Sequence, residues 1–332
     1  MNETEKYLII YHKEDNDGVF SAGILCDYLI RTKLISKNDI ALFGADYNDL
    51  SKISLDVIKA WPAAYKKVAL LDISFNEYEK MEMLYKLYGQ NFIWCDHHAP
   101  AIKRMPALSN VNGLRDINNS AIINVWRYLY DRYDLRWSTR SVPTIYRILS
   151  AWDSWSYERE HYDFEYVRTI NIGITVHYNL NVKQVLTLIN DVQNKYEADE
   201  LEMPESWMNL IYDTGQNIIK YQDAQNENLI NQYGDCSWTV DDEKTCVMFI
   251  QGSSNSIMFK SLDNNGDVKH GAVFKRNKDS SWTLSLYNIN NDIDFNCGEY
   301  LKTHYNGGGH KGAAGCTMTE EKFIELLTSH KI

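Results

Sequence analysis

The stretch Phe92-Ile93-Trp94-Cys95-Asp96-His97-His98 runs from four apolar residues straight into an acid and two imidazoles. A short apolar run rich in aromatic and β-branched residues reads as a buried strand. The polar triplet then falls at the strand's carboxyl end. Two other segments share this layout. Val68-Ala69-Leu70-Leu71 ends at Asp72-Ile73-Ser74, and Tyr7-Leu8-Ile9-Ile10-Tyr11 runs into His12-Lys13-Glu14-Asp15-Asn16-Asp17-Gly18. A fourth acid, Asp153, sits in Ala151-Trp152-Asp153-Ser154-Trp155.

Helical spacing separates these segments. Residues 18–30 carry Val19, Ala22, Leu25 and Leu29 on one face, and residues 78–88 form a second such stretch. Ile40-Ala41-Leu42-Phe43 reads as a further strand. Strands that alternate with helices predict a parallel sheet covered on both faces. Ligands bind such sheets beyond the carboxyl ends of the strands, so three of the four acidic motifs converge on one edge. Helices are predicted at 120–133 and 143–152, and a long one at 205–232 before Gly234. A second domain begins near Cys236, with strands around 245–251, 268–275 and 281–288 and helices around 254–261 and 320–329. The predicted architecture is therefore α/β: an N-terminal doubly wound domain (1–195), a linker helix (196–235) and a smaller C-terminal α/β domain (236–332).

The chain has 332 residues, 44% of them hydrophobic, and a formal net charge of −11 from 45 acidic and 34 basic side chains. That balance argues against binding long nucleic acids, duplexes included, because such binding neutralises many phosphates with Lys and Arg. A short phosphorylated substrate stays open, since bound cations can supply the field. None of the six cysteines falls in a Cys-x-x-Cys pair, which argues against structural zinc. Cys26 and Cys95 read as core. The polar start and the lack of any membrane-length apolar run predict a soluble, cytoplasmic protein with reduced thiols.

Asp and His clustered in this way suit two hard divalent cations. Two-metal phosphoryl hydrolysis places them roughly 3.5–4 Å apart and acidifies a water molecule as nucleophile. Imidazole ligands favour Mn²⁺ over Ca²⁺, with Mg²⁺ or Co²⁺ as the other candidates. Asp72, alone at its strand end, suits a bridging position. Asp15 and Asp17 are read as two apart on a tight loop closed by Gly18, each facing a different cation. Plainer roles stand beside these: Asp153 as a helix cap, His12 as a satisfied buried histidine, Lys275, Arg276 and Lys278 as a solvated loop. Trp152 or Trp155 as a base-stacking surface is a weaker reading than core packing.

Asp15-x-Asp17-Gly18, Asp72-x-Ser74, Asp96-His97-His98 and Asp153 resemble the four ordered motifs of the DHH phosphoesterase superfamily. Gly307-Gly308-Gly309-His310 with Gly312-Ala313-Ala314-Gly315 resembles the signature of the associated DHHA1 domain. The resemblance covers nearly the whole chain and is nearest to the small nanoRNase and phosphodiesterase branch. It implies one metal on His12, Asp15 and Asp72, and another on Asp17, Asp72, His97 and Asp153. It also implies that His98 faces the scissile phosphate and that Asp96 orients a neighbouring His. Gly307, Gly308, Gly309, His310 and Lys311 would hold a terminal phosphate or nucleotide across a cleft between the domains.

Two departures from the family pattern are visible. The spacing of His12 from the Asp pair differs, and the family's late-strand Arg is replaced within Ser285-Leu286-Tyr287-Asn288, which leaves Lys275 or Arg276 to supply the cation. The implied activity is hydrolysis of short oligonucleotides or small nucleotides to 5′-monophosphates. Alternatives are a cyclic-dinucleotide or 3′-phosphoadenosine 5′-phosphate hydrolase, or a retired nucleotide-binding sensor. A homodimer is compatible with this reading.

Overall fold

A run such as Tyr7-Leu8-Ile9-Ile10 can be apolar on both faces only inside a sheet that is covered on both sides. This computed structural model describes residues 6–133, 142–198, 200–252, 254–289, 294–309 and 311–332. Strand β1 (Tyr7–His12) is followed by α1 (Asn16–Arg31), β2 (Ile40–Ala45), the short helices α2 (Tyr47–Ser51) and α3 (Leu55–Ala60), β3 (Lys67–Leu71), α4 (Tyr78–Tyr88), β4 (Phe92–Cys95) and α5 (Ala99–Arg104). The strands are all parallel, in the order β2-β1-β3-β4. Alternate residues serve opposite faces. Tyr7, Ile9, Ala69 and Leu71 join a buried cluster with Val19, Phe20 and Leu25 of α1. Leu8, Ile10, Val68 and Leu70 join another with Met81 and Leu84 of α4. The sheet is doubly covered, as the alternation of strands and helices predicts.

Helices α6 (Ala121–Tyr133), α7 (Thr144–Asp153), α8 (Phe164–Tyr178) and α9 (Val182–Glu197) complete the first of these faces. They contribute Trp126, Tyr146, Ile170 and Val185 to its core. The chain divides into compact units at 1–218 and 219–332, and the division falls within α10 (Glu205–Tyr233). No helix among the described residues is long and apolar enough to cross a membrane.

The second unit contains β5 (Asp235–Val240), β6 (Glu243–Phe249), a 3₁₀ helix (Ser256–Asn265), β7 (His270–Arg276), β8 (Trp282–Asn288), α11 (Cys297–Tyr305), β9 (Gly308–Gly309), β10 (Ala313–Met318) and α12 (Glu320–Ser329). Its sheet has the order β5-β6-β7-β8-β10-β9, with only β6 and β7 parallel. Trp238, Phe274, Leu284, Leu286 and Phe323 lie in its core. The helix expected around 254–261 is this 3₁₀ helix.

The glycine-rich run is a narrow antiparallel ladder as well as a loop, because Gly308 and Gly309 pair with Gly315 and Ala314. Gly309 has φ +149°, and a Cβ there would meet Ala314 Cα at 2.5 Å, so this glycine is needed for the ladder itself.

Candidate metal centre

Because β1, β3 and β4 are parallel, their carboxyl ends reach the same edge. There they deliver His12, Asp72 and the Asp96-His97-His98 triplet. Asp72 has φ +58°, and its N–H still donates to Cys95 O at 2.9 Å. Aspartate tolerates this left-handed backbone better than most residues, and here it ends the strand with the carboxylate buried.

Asp15 and Asp17 do not lie on a glycine-closed loop; they begin a helix. Asp15 is the N-cap of α1, and its Oδ1 accepts the Gly18 N–H at 3.0 Å. Gly18 is inside the first turn, where a Cβ would collide with the carbonyl oxygen of His12. The glycine thus lets α1 start hard against the end of β1. Asp17 is buried, and its two oxygens accept the N–H groups of Ala121 and Ile122, each at 2.8 Å. These are the first residues of α6, whose positive dipole end favours the carboxylate.

The side chains then meet. His12 Nδ1 is 2.7 Å from Asp15 Oδ2 and 3.6 Å from Asp72 Oδ2. His97 Nε2 is 3.2 Å from Asp153 Oδ2, 3.4 Å from Asp72 Oδ1 and 3.6 Å from Asp17 Oδ2. His12, Asp15 and Asp72 form one group whose ligand atoms lie within 4.8 Å of one another. Asp17, His97 and Asp153 form a second, and Asp72, His97 and His98 a third. Asp72 therefore presents one oxygen to each side of the centre. Asp153 is the last residue of α7, not a cap at a helix start.

Asp96 is fully buried and stands outside all three groups. Its Oδ2 accepts the Trp94 indole N–H at 3.0 Å, and its Oδ1 accepts the backbone N–H groups of His97 and His98. The same Oδ1 is 2.7 Å from His98 Nδ1. Asn124 Nδ2 donates to the Asp96 carbonyl at 3.1 Å. Asp96 thus fixes the turn and the His98 ring, and Nε2 of His98 makes no hydrogen bond among the described residues.

Burial opposes charge on His12, but close pairing with Asp15 and Asp72 raises its pKa to about 10. Burial is likewise outweighed at His97, where Asp72, Asp17 and Asp153 raise the pKa to about 10. At His98 the bond to Asp96 overcomes burial and raises the pKa. Burial and the charge of Asp72 push Asp17 upward, while burial, Asp17 and Asp72 push Asp153 well above the carboxylate range. Asp72 moves the other way: pairing with His12 and His97 outweighs burial and lowers it to about 2. Buried carboxylates this close suppress one another's ionisation unless positive charge joins them.

The donor set fits divalent cations. Asp72 Oδ1 and Asp153 Oδ2 are buried and accept no hydrogen bond, a state that proteins rarely leave uncompensated. Carboxylate oxygens with imidazole nitrogens match Mn²⁺ and related ions.

The remaining predicted residues, Trp155 apart, belong to the second unit. Lys311 Nζ is paired with Asp294 at 2.7 Å, and Arg276 Nη2 is 3.7 Å from Glu320 Oε2 at the end of β7. Gly307, Gly308 and Gly309 precede or form β9; His310 lies outside the described residues. Trp155 is 57% exposed, with its ring stacked on those of Trp152 and Phe164.

Sequence reasoning missed Tyr47, at the start of α2. Its ring lies 6.2 Å from that of His12 and 6.4 Å from that of His98. The signal was available: β2 is parallel to the others, so whatever follows it reaches the same edge.

Taken together these features define an α/β protein with a carboxylate–histidine centre at the carboxyl edge of its parallel sheet. No protein-family model matches the sequence, and no curated protein matches it. Solved structures do. The DHH domain of a member of a family of ribosomal proteins is similar at 13% identity, with 98% of this chain and 85% of that one covered and a TM-score of 0.61. An exopolyphosphatase-related protein from Bacteroides fragilis is similar at 14% identity, over 99% of this chain and 92% of that one, with a TM-score of 0.56. The exonuclease RecJ, solved bound to manganese, is similar at 14% identity, over 98% and 89%, with a TM-score of 0.52. The chain has the fold of DHH-domain proteins over nearly its whole length.

Proposed function

We propose that this protein is a metal-dependent phosphodiesterase that hydrolyses short oligonucleotides or small nucleotides to 5′-monophosphates. The observation that carries the reading is Asp72, whose two oxygens face two separate carboxylate–histidine groups. His12, Asp15 and Asp72 would hold one divalent cation; Asp17, Asp72, His97 and Asp153 would hold the other. When bound, such ions supply Lewis acidity, acidifying water and neutralising phosphoryl charge. Manganese in the RecJ structure of similar fold supports Mn²⁺ as the ion to try first.

The protein's own groups complete the chemistry. Asp96 holds His98 by Nδ1 and leaves Nε2 open, so His98 is placed to give a proton to the leaving oxygen or to stabilise its charge. The bond to Asp96 raises its pKa above the ordinary imidazole value, which favours the proton-donating form. The glycine-rich segment at 307–309, with His310 and Lys311, is assigned to a terminal phosphate, to which backbone N–H groups of a glycine-rich segment can donate. Arg276 is assigned as a further cation for the same substrate. The net charge of −11 favours substrates with few phosphates.

The test is turnover by purified protein with Mn²⁺ on labelled oligonucleotides of increasing length, beside cyclic dinucleotides, 3′-phosphoadenosine 5′-phosphate and polyphosphate. Release of 5′-monophosphates from the shortest oligonucleotides is expected. No hydrolysis of any phosphodiester by metal-loaded protein would overturn the proposal.

A further inference from the structure

The turn after β2 contributes a side chain to the centre that none of the acidic motifs includes. Asp46 caps α2, its Oδ1 accepting the Asp49 N–H at 2.7 Å, and Asp49 closes the box by accepting the Asp46 N–H. Lys13, next to His12, pairs with both Asp46 and Asp49. This double fastening fixes the first residue of α2, Tyr47, against the strand edge.

The Tyr47 ring is tilted at 47° to His12 and stands edge-on at 90° to His98. It is half-buried, and burial, followed by the negative charges of Asp96 and Asp72, raises the pKa of its hydroxyl, which stays protonated at neutral pH. Among the described residues that hydroxyl makes no hydrogen bond. A tyrosine that served only to pack two imidazoles would not need the oxygen; phenylalanine packs the same ring. A neutral phenol that gives no hydrogen bond to the described residues can donate outward, to an incoming acceptor.

We infer that Tyr47 is a substrate-binding residue of this centre, its phenol donating a hydrogen bond to a non-bridging oxygen of a phosphoryl group held there. The inference rests on the phosphoesterase reading of the site. Because the donor is uncharged, it can approach a bound phosphate without competing with cations for the carboxylates. A hydrogen bond to a charged acceptor makes its removal cost about 10- to 100-fold in affinity.

The experiment compares Mn²⁺-loaded wild type with Tyr47→Phe, a change that keeps the ring and the fold. Metal content is measured by mass spectrometry, inorganic phosphate binding by calorimetry, and turnover on a labelled dinucleotide alongside. The expected result is phosphate binding weakened about 10-fold or more at unchanged metal content, with a matching loss in kcat/KM. Phosphate binding equal to wild type overturns the inference, as does a wild type that binds no phosphate. Loss of manganese from Tyr47→Phe overturns it too, by assigning Tyr47 to the metal ligands' support. If phosphate binding depends on Tyr47 but the wild type cleaves no phosphodiester, the Tyr47 assignment stands and the proposed function falls.

Discussion

Asp72 Oδ1 lies 3.4 Å from His97 Nε2, so the end of β3 faces the end of β4 across the centre. The other Asp72 oxygen faces His12. Removing this carboxylate takes a ligand from both groups at once. Asp72→Ala is expected to lose both cations and several orders of magnitude in activity while keeping its circular dichroism. Two ions retained with near-normal turnover would show that Asp72 does not bridge.

Asp96 and His98 should behave differently from the proposed ligands. Asp96→Asn weakens the hold on the His98 ring and the turn, and outer partners of this kind typically contribute about 10- to 100-fold. His98→Ala is expected to lower kcat with metal content intact. Metal analysis beside steady-state kinetics checks both variants; loss of an ion from His98→Ala would move His98 among the ligands.

The second unit carries a pH dependence of its own. His270 is buried, and burial lowers its pKa below the ordinary 6.5 while its ring bonds Asn288 Oδ1. The folded unit therefore binds fewer protons than the unfolded one. This contribution is fully present above about pH 6.5 and fades as pH falls through and below that value. His270→Gln, which cannot titrate, should flatten the fall in melting temperature between pH 7 and 5. Equal slopes in variant and wild type would remove His270 as the cause.

Substrate length offers a further check on the proposed function. A chain of −11 repels phosphates beyond those the site neutralises. Turnover should peak at a few nucleotides and fall with length. Log affinity should drop by only about 0.7 per phosphate contacted for each tenfold rise in salt. Efficient processive digestion of long single strands with a steep salt slope would point to a different nuclease.

The strand ends are legible because β1, β3 and β4 are buried on both faces, and a continuous apolar run stopping at an acid has few other readings. Residues 164–197 escape notice although Val167, Ile170 and Ile174, then Val182, Val185 and Leu188, keep helical spacing; no acidic motif draws attention to them. Strands β9 and β10 are made of Gly, Ala, Cys, Thr and a final Met, whose pairing comes from close backbone approach rather than side-chain pattern. Asp17 shows the limit most clearly. Its partners, the amides of Ala121 and Ile122, are backbone groups that no side-chain motif encodes.

Those two bonds span 104 and 105 residues of chain. During synthesis His12, Asp15, Asp17 and Asp72 all emerge well before the amino end of α6 or Asp153 exists. Closing so long a loop loses entropy before any contact offsets it. Loop-closure entropy therefore predicts that the cluster closes late, after the sheet and α6 have docked. An ion that recognises the closed cluster binds the native chain and not the unfolded one, so it adds stability by mass action. Absent from an early transition state, it acts chiefly by slowing unfolding. A cation bound there would be a clasp fastened at the end of folding, not a seed around which folding starts.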